Sequence, residues 1–228
     1  MSSCRGYHTA LPRSRVTVPE RSPTVCAVLG EHDRELRGAL TAQERPADLT
    51  ARFSDTPGAA ADWIWLLDGT ALPCPGALAA LLAAAHRLDT VAAPILLASH
   101  ILGSDGRSSP AHMPLAPQDQ TAVAIRTAPL RVLLVRGVTG GSVLIRPGRF
   151  TGSPRPGIAP MVAWTARLLR DGRGFLVPSS VARDRPVANP WVEQAALAAR
   201  LLLGSALRPK ERLRLAADIC ERAAVFQD

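Results

Sequence analysis

The strongest candidate for a functional residue is Asp68, a carboxylate that directly follows the apolar run Trp63–Leu67. An apolar run of this length is typical of a strand that is buried on both faces of a mostly parallel sheet. In open α/β sheets, ligands bind beyond the carboxyl ends of such strands. The sequence therefore places Asp68 at a ligand-binding position, although a carboxylate that only caps the turn at Gly69 and Thr70 would occupy the same place.

Strands and helices alternate along the chain around Asp68, and this alternation predicts an α/β fold. The apolar runs predict strands over residues 24–29, 49–54, 63–67, 90–97, 131–136, 141–146 and 175–181. Apolar residues at helical spacing predict helices over residues 35–43, 75–88 and 162–171.

The two ends of the chain differ from this α/β region. Residues 1–23 contain arginines and prolines but no apolar core of a secretory signal, so we expect a disordered leader. Residues 24–188 form the predicted α/β domain. Residues 189–228 contain two amphipathic patterns, 191–203 and 209–226, that predict a C-terminal pair of helices. This pair would pack as an appendage and offers a surface for a protein partner.

Composition excludes several classes of function. The net charge of +8 comes almost entirely from dispersed arginines, since Lys210 is the only lysine, and aromatic residues make up only 4%. This pattern argues against nucleic-acid binding. The four cysteines form no Cys-x-x-Cys pair, which argues against a zinc site or a disulfide framework. No apolar stretch is long enough to span a membrane, so we expect a cytoplasmic protein.

Four segments, in order, carry a resemblance to family 2 glycosyltransferases of the GT-A fold. Residues 63–82, with the strand, the Asp68-Gly69-Thr70 turn and the following Ala/Leu-rich helix, resemble the donor-binding core. Residues 164–181 resemble its later helix and strand. Residues 133–146 are similar to the acceptor-side strand pair, and residues 23–46 to the first strand and helix. The closest resemblance is to rhamnosyl- and galactofuranosyl-transferase-like members from actinobacteria.

The resemblance implies a fold and an activity. The fold would be GT-A-like, a Rossmann-like, mostly parallel sheet with flanking helices and, here, a C-terminal helical appendage. The activity would be inverting transfer of a sugar from a nucleotide diphosphate sugar to a glycan or a small-molecule acceptor. A divalent cation, Mn²⁺ or Mg²⁺, would neutralise the diphosphate leaving group, and no organic cofactor is implied.

The metal-binding positions of the family are only partly retained. Its Asp-x-Asp motif corresponds to Asp68 and Thr70, so a hydroxyl stands where the family has the second carboxylate. The family's late metal-binding histidine corresponds to Asp184, which could still bind a hard cation. The resemblance therefore implies a metal site at Asp68, Thr70 and Asp184 with reduced affinity.

The general-base and nucleotide-contacting positions of the family are retained even less well than its metal-binding positions. Its acidic general base corresponds to Pro160 and Met161, neither of which can accept a proton, so no catalytic residue is assigned. Asp55 and Glu31 correspond to nucleotide-contacting positions, although Glu31 could equally be a solvated turn carboxylate. Only twelve residues separate Asp55 from Asp68, which implies that part of the family's nucleotide pocket is missing.

Three interpretations follow from these departures. The chain is an active transferase, a catalytically degenerate relative that serves as a binding or regulatory subunit, or a different α/β protein. The polar segment over residues 99–120 is either a functional surface loop or partly disordered. Its His100 and His112 could approach an acceptor.

Overall fold

The computed structural model describes residues 22–30, 34–52, 61–109, 112, 114–115, 127–149, 158–185, 209 and 212. The strands are β1 (Val25–Leu29), β2 (Leu49–Arg52), β3 (Trp63–Leu67), β4 (Ala71–Pro73), β5 (Leu96–Leu102), β6 (Leu133–Val135), β7 (Val143–Ile145) and β8 (Gly174–Asp184). The α-helices are α1 (Arg34–Thr41), α2 (Ala77–Asp89) and α3 (Ile158–Leu168). Short 3-10 helices lie at Ala128–Leu130, Pro147–Arg149 and Leu169–Asp171.

The described strands form one sheet in the order β2-β1-β3-β7-β5-β8-β4, and β6 also pairs with β8. Strands β1, β2, β3, β5 and β8 run in one direction, whereas the three-residue strands β4, β6 and β7 run against them. The predicted α/β class with a mostly parallel sheet is therefore confirmed.

Helices pack on both faces of this sheet. Alternate side chains of a strand point to opposite faces, so β3 contributes residues to the core on each side. Trp63, Trp65 and Leu67 pack in the cluster that includes the inner residues of α2. Ile64 and Leu66 pack in a second cluster, which includes Met161 and Trp164 of α3. The burial of β3 on both faces, predicted from its uninterrupted apolar run, is confirmed.

A buried glutamine connects the end of α1 with the start of α2. The Gln43 side chain donates to the carbonyl of Cys74 (2.9 Å) and accepts from the amide of Leu78 (3.3 Å). Amides in the first turn of a helix have no intrahelical partner, so Gln43 satisfies one of them from outside α2. This contact fixes α2, which follows the turn that contains Asp68.

Three strand predictions needed correction. Strand β5 starts at Leu96 rather than at residue 90 and continues to Leu102, inside the segment predicted as a loop. Strand β8 continues to Asp184, and β4 was predicted as part of a turn. Polar residues such as Ser99 interrupt the apolar pattern, so the strands were not predicted at their full length. Ser99 is nevertheless buried, and its hydroxyl donates to that of Ser142, which satisfies the polar atom inside the sheet.

Other predictions lie largely outside the described residues. These are the leader at residues 1–23, except 22 and 23, and the two C-terminal helices, of which only residues 209 and 212 are described. No helix in the described part of the chain is long and apolar enough to cross a membrane. The cytoplasmic location stays a prediction.

The sheet core allows a matched test of burial. Leu144 in β7 is fully buried, whereas Leu133 in β6 is 56% exposed. We expect Leu144→Ala to lower the free energy of unfolding by about 2–5 kcal/mol, because it leaves a cavity. Leu133→Ala, the same chemical change at a surface site, should alter it by less than about 0.5 kcal/mol. Urea unfolding measures both values, and equal losses would contradict the described packing.

Candidate functional site

The candidate site lies where the order of the strands reverses. The chain passes from β1 to β2 on one side of the sheet and then returns to β3 on the other side of β1. Such a switch point leaves a crevice at the carboxyl ends of the two central strands, and ligands bind there in open α/β sheets. Gly30 follows β1 and its amide donates to the carbonyl of Leu67 (2.9 Å), so it lies beside Asp68 at the end of β3.

One oxygen of Asp68 is saturated by hydrogen bonds. Its Oδ1 accepts from the amide of Thr70 (3.0 Å), the hydroxyl of Thr70 (2.7 Å) and the amide of Gly141 (2.8 Å). The two bonds from Thr70 close the turn around Gly69, which has a φ of 83°. The bond from Gly141 joins this turn to the segment before β7. Asp68 therefore caps its own turn and also ties that turn to the neighbouring loop.

The other oxygen of Asp68, Oδ2, is buried without a hydrogen-bond partner. It lies so close to Gly140 that a Cβ atom on that glycine would be 2.2 Å from it. Gly140 and Gly141 both have positive φ, 98° and 80°. The glycine pair thus lets the backbone approach the carboxylate, and any larger residue at position 140 would collide with it.

The charge of Asp68 is poorly solvated in this position. Burial raises the pKa of Asp68, while its hydrogen bonds from Thr70 and Gly141 and the nearby His112 act in the opposite direction. Desolvation disfavours a carboxylate because the charged form loses its hydration. Asp68 is therefore directed into the protein rather than towards the crevice.

A second cluster of polar side chains surrounds Asp184 at the end of β8. Its Oδ1 lies 3.1 Å from Nε2 of His112, and its Oδ2 accepts from the hydroxyl of Ser109 (2.5 Å). The other ring nitrogen of His112, Nδ1, lies 2.7 Å from the hydroxyl of Thr139. The His112 side chain is completely buried, whereas that of Asp184 is 20% exposed. Burial lowers the pKa of His112, although Asp184 and Asp68 both act to raise it.

Strand pairing brings the predicted metal-binding residues to the same edge. Ala71, next to Thr70, pairs with Asp184 across β4 and β8. The amide of Arg185 donates to the carbonyl of Thr70 (3.1 Å). Asp68 is close enough to His112 to influence its pKa, and His112 contacts Asp184. Asp68, Thr70 and Asp184 thus belong to one continuous polar region.

In this arrangement the predicted ligands do not fit a divalent cation. The Thr70 hydroxyl donates to Asp68, and both oxygens of Asp184 are bound by protein groups. A hard cation needs several oxygen atoms turned towards it. In the described part of the chain, no group of three or more His, Cys, Asp or Glu residues could hold a metal ion. The metal assignment stays a prediction.

The remaining predicted positions give a mixed outcome. Glu31 and Asp55 lie outside the described residues. Met161, which the resemblance places at the general-base position, is fully buried in the core that lies under Gly140. His100 contacts Ser108 at the surface, whereas His112 is buried beside Asp184.

Sequence reasoning missed several residues of this site. It did not connect Ser109, His112 or Thr139 with Asp184, because they are distant in sequence and meet only in the folded sheet. The Gly140-Gly141 pair at the start of the strand predicted over residues 141–146 was a usable signal, because glycine at such a position often marks the close approach of another part of the chain.

Comparison with known proteins indicates a shared fold. No protein-family model matches the sequence, and no curated protein matches it either. The structure of a mycobacterial protein aligns with a TM-score of 0.50 and 16% identity, over 79% of this chain and 74% of that one. This likeness shows the fold alone.

Two structures of S. aureus TarS align less closely. The structure of TarS 1-349 has a TM-score of 0.46 and 11% identity, over 89% of this chain and 72% of that one. A second TarS structure has a TM-score of 0.49 and 10% identity, over 87% of this chain and 43% of that one. Similarity at this level carries no conclusion about activity.

The close approach at Gly140 predicts a strong local effect. We expect Gly140→Ala to lower the free energy of unfolding by at least about 1–3 kcal/mol, because alanine is strained at this φ and its Cβ would meet Asp68. Gly148→Ala is the matched control, since a Cβ there meets no atom within 4 Å. Chemical unfolding of both variants tests this; similar stabilities would show that Asp68 can move away.

The buried carboxylate also predicts a pH dependence. Burial raises the pKa of Asp68 in the folded state above its unfolded value of about 3.9, so the folded state retains the proton to higher pH. The contribution of Asp68 to stability therefore falls as pH rises from about 4 through the folded pKa. We expect Asp68→Asn to gain stability relative to the unmodified protein across that interval.

Urea unfolding at several pH values measures this difference. Asp89→Asn is the control, because the Asp89 side chain is 56% exposed. If the two variants showed the same pH profile relative to the unmodified protein, Asp68 would not be a desolvated carboxylate.

Proposed function

We propose that this chain is a glycosyltransferase-like protein that binds a nucleotide diphosphate sugar at the carboxyl edge of its sheet. The observation that supports the proposal is the convergence of Asp68, Thr70 and Asp184 beside the switch point between β1 and β3. This is the position where α/β sheets bind nucleotides. The acceptor would be a glycan or a small molecule.

The side-chain geometry favours the catalytically degenerate form of this function. Asp68 is turned into the protein and Asp184 is bound by Ser109 and His112, so neither carboxylate presents an open pair of oxygens. Pro160 and Met161 occupy the position of the family's general base and cannot accept a proton. The protein would then retain donor binding and act as a binding or regulatory subunit, with the C-terminal helices predicted from the sequence as the surface for its partner.

Active sugar transfer is the second candidate, and one observation favours it. Asp184 is the partly exposed carboxylate of the cluster, and the buried His112 holds it in place. In inverting transfer, the acceptor oxygen forms a bond to the anomeric carbon as the bond to the diphosphate breaks. The diphosphate leaves with the electron pair, and a base takes the hydroxyl proton. Asp184 could serve as that base.

Donor binding is tested by thermal unfolding with nucleotides. A ligand that binds only the folded state raises the melting temperature, and UDP or dTDP at 100 times its Kd should raise it by about 5–10 °C. Parallel titrations with Mn²⁺ and with EDTA determine whether a metal contributes. Uridine and thymidine, which lack phosphates, are the controls.

The outcomes separate the alternatives. No shift at millimolar nucleotide, with or without Mn²⁺, would reject donor binding. If UDP or dTDP binds, release of nucleotide from a sugar donor in the presence of acceptors distinguishes the two forms. Turnover that Asp184→Asn abolishes would support the active transferase, whereas binding without turnover would support the degenerate relative.

A further inference from the structure

Arg185 places a positive charge directly over the turn that contains Asp68. It follows the last residue of β8, and its backbone amide donates to the carbonyl of Thr70 (3.1 Å). Its guanidinium Nη1 donates to the carbonyl of Gly69 (3.2 Å). Backbone and side chain thus attach Arg185 to the β3–β4 turn, at the carboxyl edge where the donor would bind.

A carboxylate on α1 forms an ion pair with the same guanidinium. Nη2 of Arg185 lies 2.8 Å from Oε2 of Glu35, in the first turn of α1. The Arg185 side chain is 31% exposed and that of Glu35 is 67% exposed. The ion pair therefore extends over the crevice from β8 to α1, and solvent ions can reach it.

Arginine suits a diphosphate better than the carboxylates of this edge do. Its guanidinium offers several N–H donors in a planar arrangement that matches two phosphate oxygens, and it keeps its charge at any physiological pH. Asp68 is buried, with one oxygen saturated by hydrogen bonds, and both oxygens of Asp184 are bound by Ser109 and His112. The guanidinium of Arg185 is partly exposed by comparison. Glu35 shows that the guanidinium is accessible to an anion.

We propose that Arg185, rather than a metal ion, provides the positive charge that binds the diphosphate of the donor, and that Glu35 occupies this charge until the diphosphate displaces it. This inference rests on the proposed donor binding. It identifies Arg185 as the residue that binds the diphosphate and Glu35 as the anion that competes with it. An exposed ion pair contributes little to stability, so its displacement costs little. Because the pair is exposed, diphosphate binding weakens as the salt concentration rises.

The test is calorimetric titration of the full chain with UDP, dTDP and inorganic pyrophosphate in EDTA, repeated with Mn²⁺. Arg185→Gln should weaken binding of all three in EDTA by about tenfold or more, because it removes charge-assisted hydrogen bonds. Glu35→Gln should strengthen binding by about two- to fivefold, because it removes the competing carboxylate. The affinities for uridine and thymidine, which lack phosphates, should be altered by neither substitution.

Arg173→Gln is the matched control. Arg173 precedes β8 at the opposite edge of the sheet, and its guanidinium also donates to a backbone carbonyl, that of Ala92 (3.1 Å). The substitution changes the net charge by the same amount, so it should leave diphosphate affinity unchanged. Melting temperatures without ligand verify that each variant is folded.

The outcomes distinguish this inference from the proposed function. Nucleotide binding that requires Mn²⁺, or equal losses in Arg185→Gln and Arg173→Gln, would overturn the role of Arg185 and leave donor binding intact. Pyrophosphate binding that depends on Arg185, without nucleotide binding, would support the anion site and reject the donor. Absence of binding by any of these compounds would overturn both.

Discussion

The hydrogen bond from the Gly141 amide to Asp68 is the interaction on which the candidate site depends. It joins the turn after β3 to the segment before β7, two elements that are 73 residues apart in sequence. The bond can form because Gly140 and Gly141 adopt positive φ and carry no side chain between backbone and carboxylate. One carboxylate thereby fixes the turn, the glycine pair and the adjoining strands in a single arrangement.

This constraint decides how charge is distributed at the edge of the sheet. Asp68 is buried, and burial raises its pKa although the hydrogen bonds from Thr70 and Gly141 act in the opposite direction. Its Oδ1 is saturated by those bonds and its Oδ2 is buried. Asp184 is likewise engaged, by His112 and Ser109. Among the described residues, Arg185 and Glu35 form a partly exposed ion pair beside the turn that contains Asp68. In our proposal, a diphosphate would bind to this guanidinium rather than to a metal held by the two carboxylates.

A chain of buried hydroxyl groups supports the site from beneath. Ser99 bonds to Ser142 and Ser180, and the indole of Trp65 donates to Ser142 (3.0 Å). These side chains belong to β3, β5, β8 and the residue before β7, so the network crosses the centre of the sheet. Each polar atom has a partner, which makes the network compatible with burial and fixes the neighbours of Gly141.

The amino-acid sequence was sufficient to predict the α/β class and the position of Asp68 at the end of a strand buried on both faces, and it shows that Pro160 offers no proton acceptor. Periodicity and composition are local properties, so they sufficed for these conclusions. The burial of Asp68 and the contact between Asp184 and His112 could be seen only in the folded structure. Pairing between distant strands creates those contacts, and no local pattern records which donors will surround a carboxylate. The apolar run before Asp68 therefore predicts where this carboxylate lies, whereas residues distant in sequence determine its hydrogen bonds and its pKa.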